Sequence, residues 1–285
     1  LPSAMCFVSD TQLAVSIDRS DTGGKSGAIM IVDLSAPDDS DADAPGRKRK
    51  GVYRKMKITK KLHNIGKGCL RSMKMMPNGK YMAAGSEDGS VYFFQVDKDF
   101  EQYGSFSAIS ACAITNFDFA TDESTIRVFG PNLAGDAMIK SAYFTLNMSN
   151  VDEMAFALKE EEDLKRLTEV PGWASASCPA SVEVKGVHPA CQAGMGAPVG
   201  EIADASKSAQ CSKVASVSAQ GSKFVAASYA DGSAKVFSYP PVADKATTLN
   251  YTHQDGEVLC TFTAGGQLVT LGSSDGCLMV YNIAQ

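Results

Sequence analysis

The sequence holds no uninterrupted apolar run of about 20 residues, the length a membrane-spanning helix needs. Helix-anchored membrane proteins are therefore excluded as a reading. The chain begins Leu1-Pro2-Ser3 with no basic segment leading into an apolar one, so it shows no secretory signal. It also starts without Met and enters a strand-like segment at once, which reads as part of a longer polypeptide. Histidine is scarce: His63, His188 and His253 are the three. There is no Gly-x-Ser-x-Gly elbow and no His-Glu-x-x-His motif. Hydrolytic catalysis needs a nucleophile oriented by a histidine and a third group, and no catalytic residue is assigned. No pair among the eight cysteines (Cys6, Cys69, Cys112, Cys178, Cys191, Cys211, Cys260, Cys277) has Cys-x-x-Cys spacing. Most lie in apolar strand-like runs and read as buried reduced thiols of a cytosolic protein. The sequons at Asn147 and Asn250 are then chance matches.

What is present is a repeat. Residues 78–96 (NGKYMAAGSEDGSVYFFQV), 221–240 (GSKFVAASYADGSAKVFSYP) and 265–283 (GGQLVTLGSSDGCLMVYNI) share one order: a turn, an apolar strand, Asp-Gly, then a second strand with aromatics. Asp-Gly accepts the positive φ of a tight hairpin, so the two strands of each copy are expected to pair antiparallel. Further strands are expected before each copy, at 68–77, 211–220 and 257–264, and after the first two, near 101–109 and 245–253. Four strands per unit make a propeller blade, and units of roughly 40–50 residues suit that architecture. Weaker copies occupy 4–34 and 113–146, and Trp173 to about Val199 reads as a degenerate unit.

The expected fold is therefore an all-β propeller, seen as about six blade-like units: 1–62, 63–111, 112–165, 166–205, 206–253 and 254–285. The last unit ends after its third strand, so closure is expected to come from chain outside this sequence. Segments 35–51 and 190–210 read as insertions, and 150–168 as a solvated surface helix or charged loop.

Ser20 to Ser26 ends like a phosphate-binding loop, but Arg19 stands where that loop needs glycine, and a strand rather than a helix follows. Cys178, His188 and Cys191 lack a fourth ligand and a short chelating spacing, so no metal site is assigned. No cofactor is expected. The net charge of −5 argues against a nucleic-acid binder. One segment departs from this acidic balance. After Asp38, Asp39, Asp41 and Asp43 come Arg47, Lys48, Arg49, Lys50, Arg54, Lys55, Lys57, Lys60 and Lys61, with no intervening acid. This run reads either as a solvated insertion whose halves neutralise each other or as a contact for an acidic surface.

The units resemble WD40 blades with the Trp-Asp replaced, at Val32-Asp33, Phe94-Gln95, Phe237-Ser238 and Tyr281-Asn282. In such blades a histidine before the first strand bonds an aspartate in the second hairpin turn. The resemblance therefore implies the pairs His63 with Asp88 and His253 with Asp275, and gives Asp231 and Trp173 structural places in their blades. The middle of the chain is more specific. Trp173-x-x-x-x-Cys178 followed by Gly186-Val187-His188-Pro189 resembles a block of echinoderm microtubule-associated protein-like proteins. So do Asp231-Gly232, Val236-Phe237-Ser238-Tyr239-Pro240, Tyr251-Thr252-His253 and the final Gly272-x-x-Asp275. The match runs through nearly the whole chain and corresponds to most of the second propeller of that family's tandem pair. It departs from the family at His188, where the family has Trp, in the bland stretch Gly194 to Ser208, and in the 35–51 insertion. The resemblance implies a non-catalytic, microtubule-associated scaffold of the cytoplasm and cytoskeleton, including the axoneme of a cilium or flagellum. Its partners would be tubulin or other axonemal proteins, with neither nucleic acid nor membrane among them. The alternative is a general WD40 adaptor in a soluble complex. A propeller enzyme would need acids or histidines converging on the central channel, where the candidate positions are mostly Ala, Ser and Met.

Overall fold

The structure, a computed structural model, describes residues 2–17, 26–35, 57–108, 113–114, 116–119, 123–131, 139–151, 182–184, 200–202, 214–220, 224–229, 232–238, 247–249, 252–253, 258–263, 266–272 and 275–283. Among these residues twenty strands fall into six sheets. The first comprises β1 (Pro2–Phe7), β2 (Gln12–Ile17), β3 (Gly27–Asp33) and β4 (Lys57–Ile65). The second comprises β5 (Leu70–Met75), β6 (Tyr81–Ser86), β7 (Ser90–Gln95) and β8 (Glu101–Ser107), with a 3-10 turn at Val96–Lys98. The third has β9 (Asn116–Phe119), β10 (Thr125–Pro131) and β11 (Ile139–Thr145). The fifth is β14 (Val214–Gln220), β15 (Phe224–Tyr229), β16 (Ala234–Ser238) and β17 (Thr247–Thr248), and the sixth is β18 (Val258–Phe262), β19 (Gln267–Gly272) and β20 (Leu278–Asn282). All five are antiparallel meanders. The fourth differs: β12 (Val182–Val184) and β13 (Gly200–Ile202) pair parallel. This falls in the stretch where the repeat pattern is degenerate.

Each expected Asp-Gly hairpin turn has its glycine at positive φ: Gly89 at 86°, Gly232 at 83° and Gly276 at 62°. Each lies between the second and third strands of its sheet. Glycine adopts that backbone without the Cβ clash that L side chains suffer. The unit boundary expected at 62/63 falls within β4, whose pairing with β3 continues to Ile65. The expected boundary therefore lies a few residues inside the strand that ends the first sheet.

The core lies between sheets. β6 shows why its residues read as a continuous apolar run. Met82 and Ala84 join the cluster shared with Ile29, Ile31 and Cys6 of the first sheet, while Ala83 joins Phe117, Phe119 and Ile126 of the third. Successive side chains of a strand point to opposite faces, so a sheet with neighbours on both faces needs apolar residues at every position. In the five antiparallel sheets the first strand makes most of the contact between sheets: β9 packs on β5, β5 on β1, β1 on β18 and β18 on β14. Thus the first and last sheets meet directly, through Met5, Leu13, Val15 and Val32 against Leu259 and Leu271. Strand patterning could not reveal this contact, because it depends on which apolar faces of distant strands meet. The last sheet has three strands among the described residues.

Adjacent sheets are also linked by buried hydroxyls. Ser16 Oγ on β2 donates to the Leu70 carbonyl at 3.1 Å, and Ser228 Oγ on β15 donates to the Val258 carbonyl at 2.6 Å. Each bond runs from the second strand of one sheet to the start of the next sheet's first strand. Between the second and third sheets the hydroxyl comes from the first strand instead, where Ser72 Oγ reaches the Ile114 carbonyl at 3.1 Å. In all three sheets the first strand carries a register shift beside this position, at Pro2/Ala4, Leu70/Ser72 and Val214/Ser216. The last sheet pairs regularly there, and Leu271 stands opposite Leu259 in place of a serine.

Candidate protein-interaction surface

The histidine and aspartate expected to lock the last blade are brought together. His253 Nδ1 lies 3.1 Å from Asp275 Oδ2, and Nε2 lies 2.8 Å from Thr270 Oγ1. A carboxylate only accepts, so Nδ1–H is the donor. The pair is almost fully enclosed, with 1% and 5% side-chain exposure. Asp275 also accepts from the Cys277 N–H at 2.8 Å, which ties the histidine to the hairpin turn. Gly272 makes the approach feasible, since a Cβ there would sit 2.6 Å from His253 Nδ1. Tyr281, at the position of the replaced tryptophan, keeps its hydroxyl buried without a hydrogen-bond partner. Burial raises its pKa, opposed only by the nearby Thr270 hydroxyl, which is itself engaged by His253.

His63 and Asp88 are not brought together in that way. His63 is exposed on β4. Asp88 instead accepts from the Lys67 N–H at 2.8 Å, the Ser90 N–H at 2.9 Å and the Tyr92 hydroxyl at 2.7 Å. Burial raises the Asp88 pKa, but these donors outweigh it and the net direction is down. Burial and the adjacent carboxylate push Tyr92 up to about 12. The expected pairing is corrected: a tyrosine four residues along the same hairpin donates the side-chain hydrogen bond that the sequence reading gave to histidine. An aromatic on the third strand was part of the repeat pattern, but nothing in the pattern marked its hydroxyl as the lock.

Of the basic residues, Lys57, Lys60 and Lys61 lie on β4, and Arg47, Lys48, Arg49, Lys50, Arg54 and Lys55 lie outside the described residues. Lys57 and Lys61 are exposed. Lys60 turns toward the second sheet and pairs with Asp99 at 2.5 Å. Asp231, Trp173, Cys178, His188 and Cys191 also lie outside the described residues, as do the 190–199 and 203–210 parts of the second insertion and residues 152–168 of the expected helix. Among the described cysteines, Cys6 and Cys260 are buried and Cys69 and Cys277 half-buried, all as free thiols. Burial pushes Cys6 up to about 12, which leaves it protonated and unreactive.

Among the described residues no group of three or more His, Cys, Asp or Glu side chains is arranged to hold a metal ion. No described helix is long and apolar enough to cross a membrane. The surface the geometry offers is thus the outer edge of the first sheet, where a long, cationic, exposed strand follows the basic run.

No curated protein matches the chain. Among solved structures, one described as "Crystal structure of the eukaryotic initiation factor" aligns with 11% identity and a TM-score of 0.36, over 55% of this chain and 31% of that one. The chain thus spans about a third of that structure's length. Residues 57–95 match the family model "WD40: WD domain, G-beta repeat", a span that takes β4 of the first sheet together with β5, β6 and β7 of the second.

Proposed function

We propose that this protein is a non-catalytic scaffold of microtubules or the axoneme, with Arg47 to Lys61 as its contact for the acidic surface of tubulin. The WD40 repeat points to protein interaction. The observation that carries the finer reading is charge. Nine of the chain's 27 basic residues fall within 15 positions of a chain whose net charge is −5. The end of this run is the exposed strand β4. The resemblance to microtubule-associated propellers supplies the partner class, and with it a cytoplasmic, cytoskeletal location. The test is co-sedimentation with microtubules as salt is raised. Exposed charges are screened beyond about 8–10 Å near physiological salt, so binding should weaken steeply. Reversing Arg47, Lys48, Arg49 and Lys50 to Glu should weaken pelleting most at low salt, with the fold retained. Pelleting unchanged by the reversal at low salt would remove the segment from the contact. No pelleting of the parent protein under any condition would favour a soluble WD40 adaptor.

A further inference from the structure

We infer that β4 is a docking edge for an extended acidic segment of a partner protein, which adds as a fifth strand to the first sheet. The inference rests on the reading of the basic run as a contact for an acidic partner, and specifies how that contact is made.

Among the described residues no strand pairs with the outer edge of β4. Lys57, Ile58, Thr59, Lys61, His63 and Asn64 are exposed along it. An edge strand presents unpaired N–H and C=O groups that template another strand. Among the described residues β4 is the longest strand and the most cationic of the outer strands. It carries Lys57, Lys60, Lys61 and His63, whereas β8 has only Glu101 among its charged residues, β11 only Lys140, and β17 and β20 none. Lys60 is engaged with Asp99. Lys61 alternates to the other face, and Lys57 lies at the start of the strand where the basic run leads in.

Lysine on an edge ordinarily protects against aggregation, because it repels or crowds an incoming neutral strand. The same lysines reverse sign toward an acidic strand, since opposite charges directly across a strand pair stabilise it. The edge is then closed to most strands and open to one chemistry, a selectivity built from repulsion as well as attraction. Ile58 fits this use. At 44% exposure it is one of the large apolar side chains left outside, where a purely protective edge needs no isoleucine. Register shifts on β4 flank the regular stretch Lys60–Leu62, so the added strand is short. Antiparallel addition continues the meander already present.

The probe is a short synthetic peptide alternating glutamate and valine, with a twin N-methylated at alternate residues and a lysine-for-glutamate counterpart. N-methylation removes backbone donors and keeps every charge. Binding to the full chain is read by fluorescence anisotropy, and hydrogen exchange is followed along β4. The acidic peptide should bind and slow exchange in β4. The methylated twin should bind about tenfold or more weakly, because two or three backbone bonds are lost, and the lysine peptide should not bind. Lys57→Glu with Lys61→Glu should abolish binding while the circular dichroism melt stays in place. Equal binding of the methylated twin, or β4 amides that exchange at the same rate with peptide bound, overturns strand addition and leaves an electrostatic contact. Absence of peptide binding in a protein that still pellets with microtubules also overturns it without touching the scaffold reading. Loss of both removes the reading on which it rests.

Discussion

Ser72 on β5 stands directly opposite Gly85 on β6, and a Cβ added to Gly85 would lie 2.5 Å from Ser72 Oγ and 2.5 Å from Ile114 Cγ2. In the first and fifth sheets the residues at the place of Gly85 are Ser16 and Ser228, which themselves reach the next sheet. In the second sheet the hydroxyl has crossed to the neighbouring strand, and the glycine leaves room for it. Gly85→Ala should therefore destabilise the protein by about 1–3 kcal/mol through overpacking. Ser72→Ala should cost about 1 kcal/mol for the lost hydrogen bond. In the double variant the costs should fall short of additive, since the alanine at 72 removes one of the two clashes. Urea midpoints of the four proteins decide this, and strictly additive costs would mean that the two residues do not share the space.

Asp88 gives a pH dependence of defined sign. Its folded pKa lies below the ordinary value of 3.8, because donors from Lys67, Ser90 and Tyr92 outweigh the opposing effect of burial. A depressed carboxylate contributes stability that is present above its unfolded pKa and lost as pH falls through the folded value. Acid should therefore weaken the protein through and below the region of pH 3.8, where the hairpin would lose its ties to the Lys67 and Ser90 amides. Asp88→Asn should flatten the stability profile in that window, with a lower plateau at neutral pH. Thermal melts from pH 6 down to the acid limit of solubility measure both. An Asn variant as acid-sensitive as the parent would place the loss in other carboxylates.

The hairpins were legible because Asp-Gly is a local signal whose physical cause, positive φ at glycine, is confined to two residues. The last blade's lock was legible too, since His253 and Asp275 stand at the positions that the blade pattern implies. The serine bridges were not. Ser16 and Leu70 are 54 positions apart and Ser228 and Val258 are 30 apart, and a serine in a strand has no periodicity that marks its acceptor. Asp88 shows a different failure. Its place in the turn was readable, but its donors are the Lys67 and Ser90 amides and the Tyr92 hydroxyl, while His63 is exposed on β4. The direct junction of the first and last sheets was hidden for a third reason: Leu259 and Leu271 look like any other core pair until the fold brings them to Met5 and Val15.

His253 should be the most sensitive polar residue of the last blade. His253→Ala strands the nearly enclosed Asp275 carboxylate without the ring N–H and leaves Thr270 without its ring partner. Breaking a buried pair by removing one member costs about 3–5 kcal/mol. Asp275→Asn keeps an acceptor and a similar shape, so it should cost less. Chemical denaturation of both variants provides the comparison. Equal losses would assign the effect to charge alone rather than to an unpartnered buried group.

Leu271 tests the junction between the two ends of the chain. It is buried at the register position that Ser16 and Ser228 hold elsewhere, and its sheet lacks the register shift found beside those serines. Here the link is apolar packing against Met5, Leu13, Val15 and Val32. Leu271→Ala should cost about 2–5 kcal/mol, because the removed methyl groups leave a cavity that two rigid sheets collapse onto only partly. Leu271→Ser should cost more, since the new hydroxyl enters an apolar cluster without a bulge to carry an acceptor to it. If the junction closes the ring within this chain, its loss should propagate. Hydrogen exchange should then rise in β1 and β2 of the first sheet as well as in β18 and β19, although the substitution lies more than two hundred positions from the former. Faster exchange confined to β18 and β19 would mean that the first sheet holds its place without the last, and that the contact seen here contributes little to closure.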